Sequence, residues 1–502
     1  MKRRDFLGAG LSAAAAASLP LRRPLAAAFR EIEFAPADLE AVTGDGREIV
    51  IPASDVDDLI ARLRGSVLFA GDEGYDEART ILNPSFDRYP ALVVQPTGAA
   101  DVQIAVEFAR RYELLTAVKC GGHSLSGKST CDRGLQVDLV RMRGARIDPV
   151  SRTARVEGGS LLGLLDHEAM THDLVTPMGT VSHTGVGGLV LGGGFGRLAR
   201  RFGLAIDNLL SLDVVTADGE LRHASPDTNP ELFWGLRGGG GNFGIVTSFE
   251  FRLHPMQRTV VGGRIMFPFE RARELLEVYG DYGAEAPDEL QLDYFQALPP
   301  GGVDGVAGFA VCWSGSPERA DEVLAPIRAV GTPTVDQVGP MDYVALQRSG
   351  DIDDPRAMGT YLKGGFIDAL PSDLARAIAD GMVGHPARST QLFFQQSGGA
   401  INRVEEDATA FPNRGVFGNM MTSVDWPMGA ESAEHIDACR SYWADLEPFT
   451  KGFYTNDLDP ELSEGAVDAN WGRNLGRLVA LKREYDPTNL FRLNANIDPT
   501  GG

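Results

Sequence analysis

Two stretches of this chain are nearly free of side chains, and a third sets an imidazole beside two glycines. Gly185-Val186-Gly187-Gly188 opens a segment that stays glycine-dense to Gly196, and Gly238-Gly239-Gly240-Gly241-Asn242-Phe243-Gly244 is the second. A backbone without Cβ atoms can press its N–H groups against a pyrophosphate, making an anion nest that needs no lysine. Neither stretch ends in Gly-Lys-Ser/Thr, which argues against a Walker-type NTPase, and neither opens the clean strand-to-helix turn of a Rossmann fingerprint. Two such loops point to a dinucleotide; glycines needed only where helix meets sheet, or at sharp turns, are the competing reading. The third segment is Cys120-Gly121-Gly122-His123-Ser124. Its imidazole is either a solvated loop residue or a group with a special role. Neither His123 nor His183 has a His or Glu partner at helical i, i+4 spacing, so metal chemistry has little support. No G-x-S-x-G elbow occurs, which leaves serine hydrolysis unsupported.

The elements that must position these segments can be read from periodicity. Ser54 starts a helix in which Val56, Leu59, Ile60 and Leu63 share a face before Gly65. Ala91–Val94 reads as a buried strand, Val102, Ala105, Val106 and Ala109 as a helical stripe, and 114–119 as the returning strand of a β-α-β unit whose exit loop carries His123. Leu135–Leu139 is a further strand, 181–196 a glycine-dense loop, and 210–216 and 245–253 two more strands. The character changes near His254-Pro255. A second α+β layer follows, with strands at 263–267, 290–297, 307–313, 391–396 and 416–424, and helices at 270–279, 320–330 and 433–446. The helix 475–485, ending at Asp486-Pro487, returns to the first layer.

At 502 residues the chain exceeds one hydrophobic core, so two or more domains are expected. Its formal charge of −22 argues against a general nucleic-acid binder and disfavours anionic membranes. Lys2-Arg3-Arg4-Asp5-Phe6-Leu7 precedes an Ala-rich apolar run and Ala26-Ala27-Ala28, a layout resembling a bacterial twin-arginine export signal over residues 1–28. Its removal would leave −26 on a soluble periplasmic or secreted protein. The apolar run is too short to span a bilayer as a mature helix. Four cysteines without a C-x-x-C pair suggest neither a disulfide scaffold nor a zinc site, though one disulfide is possible.

The ordered motifs Pro90–Pro96, Lys119–Ser124, Val181–Gly188, Phe233–Thr247 and Tyr485–Phe491 resemble FAD-dependent oxidoreductases of the vanillyl-alcohol oxidase superfamily, in the berberine-bridge-enzyme-like branch. The resemblance implies an α+β fold. Residues 29–257 and 450–502 form a bipartite FAD-binding domain of the PCMH type, and 258–449 an inserted α+β substrate domain whose antiparallel sheet covers the flavin. It further implies covalent FAD through His123. Val181 stands where many relatives carry a cysteine for a second link, so a single histidyl link is expected. A neutral imidazole is a competent nucleophile, and its attachment raises the flavin's reduction potential. By the same resemblance Gly121, Gly122, Ser124, Gly185, Gly187, Gly188, Gly240, Asn242, Gly244, Ile245 and Val246 contact FAD, and Thr184 stands where oxygen access is controlled. The implied reaction is hydride transfer from a small-molecule substrate to FAD, with molecular oxygen as acceptor and a base among Tyr454, Asp457 and Gln395, Tyr454 being favoured. The alternatives are a dehydrogenase of the same fold using a periplasmic acceptor and a non-catalytic flavin- or ligand-binding protein.

Overall fold

The computed structural model describes residues 38–501 apart from 302–303, 353–357, 458 and 460; the signal-like segment 1–28 lies outside them. Leu92–Gln95 and Thr116–Lys119 flank the helix Ala99–Arg111, forming the expected β-α-β unit, but the two strands do not touch. Both pair in parallel with Leu135–Asp138, which lies between them, while Ser66–Leu68 closes one edge antiparallel. Leu92, Val93, Val94, Leu135 and Val137 are fully buried, as a parallel sheet covered on both faces requires. Val102, Ala105, Val106 and Ala109 form the helix's inward stripe. This rigid unit aims the 120–124 loop. The preceding helix is Ala53–Arg62, one residue earlier than the sequence predicts, and Ser54 does not cap it: Pro52 precedes the helix and Asp38 accepts the Ala53 N–H.

A five-stranded antiparallel sheet runs in the order Leu221–Ala224, Leu209–Val215, Ile245–Arg252, Thr153–Glu157, Ala145–Asp148. Here the sequence misleads in one place. Residues 181–196 contain a helix, Val186–Leu191, where glycine content predicts only loop. Val186, Val190 and Leu191 pack into the core, and that burial outweighs the helix penalty of two interior glycines, roughly 1 kcal/mol each.

The third sheet has eight strands, all pairs antiparallel. Its main path runs Val335–Asp336, Thr259–Pro268, Val306–Trp313, Leu290–Leu298, Ser389–Gln396, Gly418–Pro427, Met358–Ile367. The last of these is missed by periodicity because three glycines and a lysine interrupt its ten residues. Helices Ala272–Glu285, Ser372–Gly381 and Ala433–Leu446 cover one face, sealing a core that includes Tyr279, Tyr294, Phe309 and Phe394. Strand alternation then decides the other face. Thr390, Leu392, Phe394 and Gln396 point into that core, which turns Phe393 and Gln395 the opposite way. All four cysteines are free thiols. No helix among the described residues is long and apolar enough to cross a membrane.

Candidate active site

A cavity of about 380 Å³ collects the chemistry-bearing segments. The 120–126 loop, residues of both glycine stretches, Gln395, Tyr454–Asp457, Phe491 and Leu493–Ala495 line it, although they are far apart in the chain. The lining glycines divide into two kinds. A Cβ on Gly121 would stand 2.3 Å from the Gly185 nitrogen, and one on Gly185 2.5 Å from the Cys120 sulfur, so these residues let two loops cross. Gly187 and Gly244 are packed likewise against the Gly158 and Val215 carbonyls. A Cβ on Gly188 would meet nothing within 4 Å, and one on Gly240 or Gly241 only a side-chain amide nitrogen at 3.9 Å, so these three leave room. There a Cβ would intrude into the cavity, as at a cradle for a bulky ligand. Ser129 and Asn494 line the same cavity, and the Ser129 hydroxyl and the Asn494 amide oxygen have no hydrogen-bond partner among the described residues. Lys128, another lining residue, is desolvated and repelled by Arg88, which lowers its pKa. Open glycines, orphaned polar atoms and a lining cation fit a large anionic dinucleotide such as FAD.

His123 borders the cavity with both ring nitrogens engaged. Nε2 lies 2.5 Å from His183 Nδ1, and Nδ1 lies 3.3 Å from the Thr184 hydroxyl. Burial, with help from His183, pushes its pKa down to about 4, so the ring is neutral and nucleophilic at physiological pH.

The three base candidates also meet here, in different states. The Tyr454 hydroxyl accepts the Gly194 N–H at 2.9 Å, the Phe195 N–H at 3.4 Å and the Asn456 amide at 2.7 Å. Its ring sits among Phe195, Phe366 and Phe411. Asn456 also donates to the Leu189 carbonyl at 2.9 Å. The Tyr-x-Asn motif is therefore a latch holding the first glycine stretch to the C-terminal return. Burial first, then the neighbouring Asp457, push the Tyr454 pKa well above that of a free phenol, which removes it as a ready base. Asp457, one residue beyond the latch, presents its carboxyl to the cavity and accepts the Asn419 amide at 3.0 Å. The same amide donates to Gln395 Oε1 at 3.0 Å. Burial pushes the Asp457 pKa up to about 7, against the lowering effect of Asn419.

A family model described as an FAD binding domain matches residues 90–225, and one described as berberine and berberine like matches residues 453–498. An FAD-linked oxidoreductase of Dictyostelium discoideum is 33% identical over 451 residues, covering 88% of this chain and 97% of its own. The chain belongs to the berberine-like family of FAD-linked oxidoreductases. The (R)-6-hydroxynicotine oxidase of Paenarthrobacter nicotinovorans is 31% identical over 465 residues, 88% of this chain and 98% of its own. The solved structure of 6-hydroxy-D-nicotine oxidase from Arthrobacter nicotinovorans matches with a TM-score of 0.79 at 30% identity, covering 87% of this chain and 98% of that one.

In this FAD-linked oxidoreductase, Gly121, Gly122, Ser124, Thr184, Gly185, Gly187, Gly188, Gly240, Gly244, Ile245 and Val246 all line the cavity. Asn242 does not. Its amide donates to the Gly239 and Ala495 carbonyls and accepts the Ile497 N–H, stitching the second glycine stretch to the C-terminal return. Sequence reasoning missed Asn419, a polar residue in a strand read only for its apolar neighbours, and gave His183 no role. Leu125 also lines a second, mostly apolar cavity of about 460 Å³ together with Phe86, Tyr361 and Trp426.

Proposed function

We propose that this FAD-linked oxidoreductase is an exported oxidase that removes hydride from an alcohol, lactol or amine carbon of a small molecule, with Asp457 as the base and oxygen as final acceptor. FAD bound in the cavity supplies a two-electron, hydride-accepting ring. His123 holds that ring through a single covalent link, the open glycines 188, 240 and 241 admit it, Ser129 and Lys128 offer donors to its anionic portions, and the Asn494 amide oxygen offers an acceptor to its N–H or hydroxyl groups. Asp457 takes the substrate's hydroxyl or amine proton, while Asn419 orients the carboxyl and ties it to Gln395. One observation carries the reading: a carboxyl poised near pH 7 opens onto the cavity, where a neutral-pH base is needed. Tyr454 is better suited to holding the glycine stretch than to taking a proton. Division of the chain into an FAD-binding body and an inserted substrate domain at 258–449 belongs to the same reading, as does export by the segment 1–28.

The test is anaerobic mixing of the isolated protein with a panel of alcohols, amines and oligosaccharides while flavin absorbance is followed. Bleaching that rises with pH through about 7 in the wild type and is lost in Asp457→Asn supports the reading. A pH-independent rate, or an unimpaired variant, refutes Asp457 as the base. Air admitted afterwards should restore the colour with release of hydrogen peroxide; a flavin that stays reduced would make the protein a dehydrogenase.

A further inference from the structure

The second cavity, of about 460 Å³, has no part in the reaction proposed above, and it is of a size that takes a small molecule. Resting on the oxidase reading, we propose that it seats the distal end of an extended substrate, a neutral aromatic ring, while the reacting carbon of the same molecule lies at Asp457.

One strand face joins the two cavities. Along Met358–Ile367, at the edge of the eight-stranded sheet, Thr360, Leu362, Gly364 and Phe366 alternate onto the same side. Phe366 pairs with Asn419, the residue that holds Asp457, and its ring packs near that of Tyr454 in the wall of the first cavity. Leu362 and Thr360 line the second cavity. At about 3.3 Å per residue, Leu362 lies roughly 13 Å and Thr360 roughly 20 Å along the strand from Phe366. Tyr361 and Trp426, which cluster with Cys439 on the opposite face, complete the lining around the strand's free edge. Leu125 lines both cavities. Its carbonyl accepts the Asn83 amide at 2.9 Å, and the same amide donates to the Thr360 carbonyl at 3.1 Å. The loop that carries His123 is thereby fixed to the edge strand where the two cavities adjoin.

The aromatic walls are held from outside the cavity. Phe86 is wedged between the Arg88 guanidinium, 5.4 Å from the ring centroid, and Gly127, where a Cβ would stand 2.4 Å from the ring. Trp426 stacks on His435 and fills the space beside Gly359, where a Cβ would lie 2.8 Å from the indole. The Tyr361 hydroxyl donates to Glu461 at 2.6 Å. Rings fixed in this way offer a preformed surface to another ring at little cost in ordering. Glu461, the only carboxylate among the described lining residues, is matched by Arg440 as well as by Tyr361, so a charged ligand finds no free counter-charge. Thr360 spends its hydroxyl on Asp425 at 2.6 Å, and Leu362, Met428 and Ile436 make much of the remaining wall apolar. A hydroxyl-rich ring would leave most of its hydroxyls unpaired there. A neutral aromatic ring meets both conditions.

The experiment compares the FAD-loaded, full-length wild type with Ile436→Trp, whose indole fills the second cavity, and with Ser432→Trp, an exposed rim substitution that removes no helix-cap bond and blocks the cavity even where the first variant does not fold. Calorimetric binding of indole, benzoate and cellobiose needs no turnover. Indole should bind the wild type at least about 10-fold more tightly than the other two, and should bind the filled variants about 10- to 100-fold more weakly, as expected for losing the burial of one ring. Anaerobic flavin reduction is then followed with benzyl alcohol and with its para-benzyloxy derivative, which carries a second ring at a distance. The longer alcohol should half-saturate at a concentration about 10-fold lower, and this advantage should vanish in the filled variants. Absent indole binding, equal binding in wild type and filled variants, a preference for benzoate or cellobiose, or equal half-saturation by the two alcohols would overturn the inference. If neither alcohol bleaches the flavin, the oxidase reading is what fails, and competition against bound indole decides the seat by itself. Displacement about 10-fold better by the longer alcohol than by benzyl alcohol supports it, and equal displacement overturns it.

Discussion

Asp457 and Asp486, both in the C-terminal return, are carboxylates of opposite character. Asp486 is fully buried against Lys482 at 2.7 Å, and it also accepts the Leu490 and Phe491 N–H groups at 2.7 and 2.9 Å. Lys482 spends its other donors on the Asn242 and Phe491 carbonyls, both at 2.9 Å. This cluster ties the second glycine stretch to the cavity wall. Among the described residues, Asp457 has one side-chain amide donor and no paired cation, and it lines the cavity. Charge that is matched and saturated builds structure, whereas charge left short of partners is held ready for a ligand, at a cost in stability.

Breaking the saturated cluster should have the largest consequence. Lys482→Met leaves Asp486 buried without its cation and should cost about 3–5 kcal/mol, read by denaturant unfolding. A variant of wild-type stability would show that the backbone donors alone suffice. At the open carboxylate, Asp457→Asn should lower the anaerobic flavin reduction rate by about 10²- to 10⁴-fold. Its effect on stability should have the opposite sign to that of Lys482→Met. Between 3.8 and about 7 the folded Asp457 holds a proton that the unfolded chain has released, so stability falls as pH rises through that window. The neutral variant escapes this penalty. Asp457→Asn should melt at a higher temperature than the wild type at pH 8 and at a similar one at pH 4; a lower melting temperature at pH 8 would place the carboxylate among the stabilising groups.

Tyr454→Phe distinguishes latch from base. It strands the Gly194 N–H and should cost about 1–3 kcal/mol, while the pH midpoint of flavin reduction stays where Asp457 sets it. A lost midpoint would return the base role to the phenol. The smallest contrast lies between the two kinds of glycine. Gly240→Ala, at an open position with positive φ, should cost about 1 kcal/mol of strain in the folded chain and show a further effect in weakened FAD retention. Gly121→Ala, where the Gly185 backbone is in the way, should reduce stability whether FAD is bound or not. Equal losses of FAD retention and stability in both variants would erase the distinction.

What could be read along the chain was local. The β-α-β unit showed itself because burial on both faces demands unbroken apolar strands, and the helix 433–446 because its apolar face repeats at helical spacing. The strand Met358–Ile367 was hidden by its own glycines, and the helix Val186–Leu191 by glycines that tertiary burial overrode. Around the cavity, the motifs marked Tyr454 and Asp457 as neighbours, and the family resemblance favoured Tyr454. What the sequence could not show was desolvation, which raises both pKa values and brings only the carboxyl, with its low starting point, near neutrality.

The sequence by itself determined which backbone segments lack Cβ atoms and where an imidazole lies beside them, which pointed to a dinucleotide, and the resemblance of its ordered motifs implied a berberine-like oxidoreductase. Tertiary structure alone decided that Asn419 would join Gln395 to Asp457, that Asn242 would turn away from the cavity, and that Ile352 would reach back to His183. Glycine acts through its own φ and its missing atom, which are properties of one position. A proton's location depends on every donor, acceptor and charge within a few ångströms, and folding draws those from strands and loops far apart in the chain.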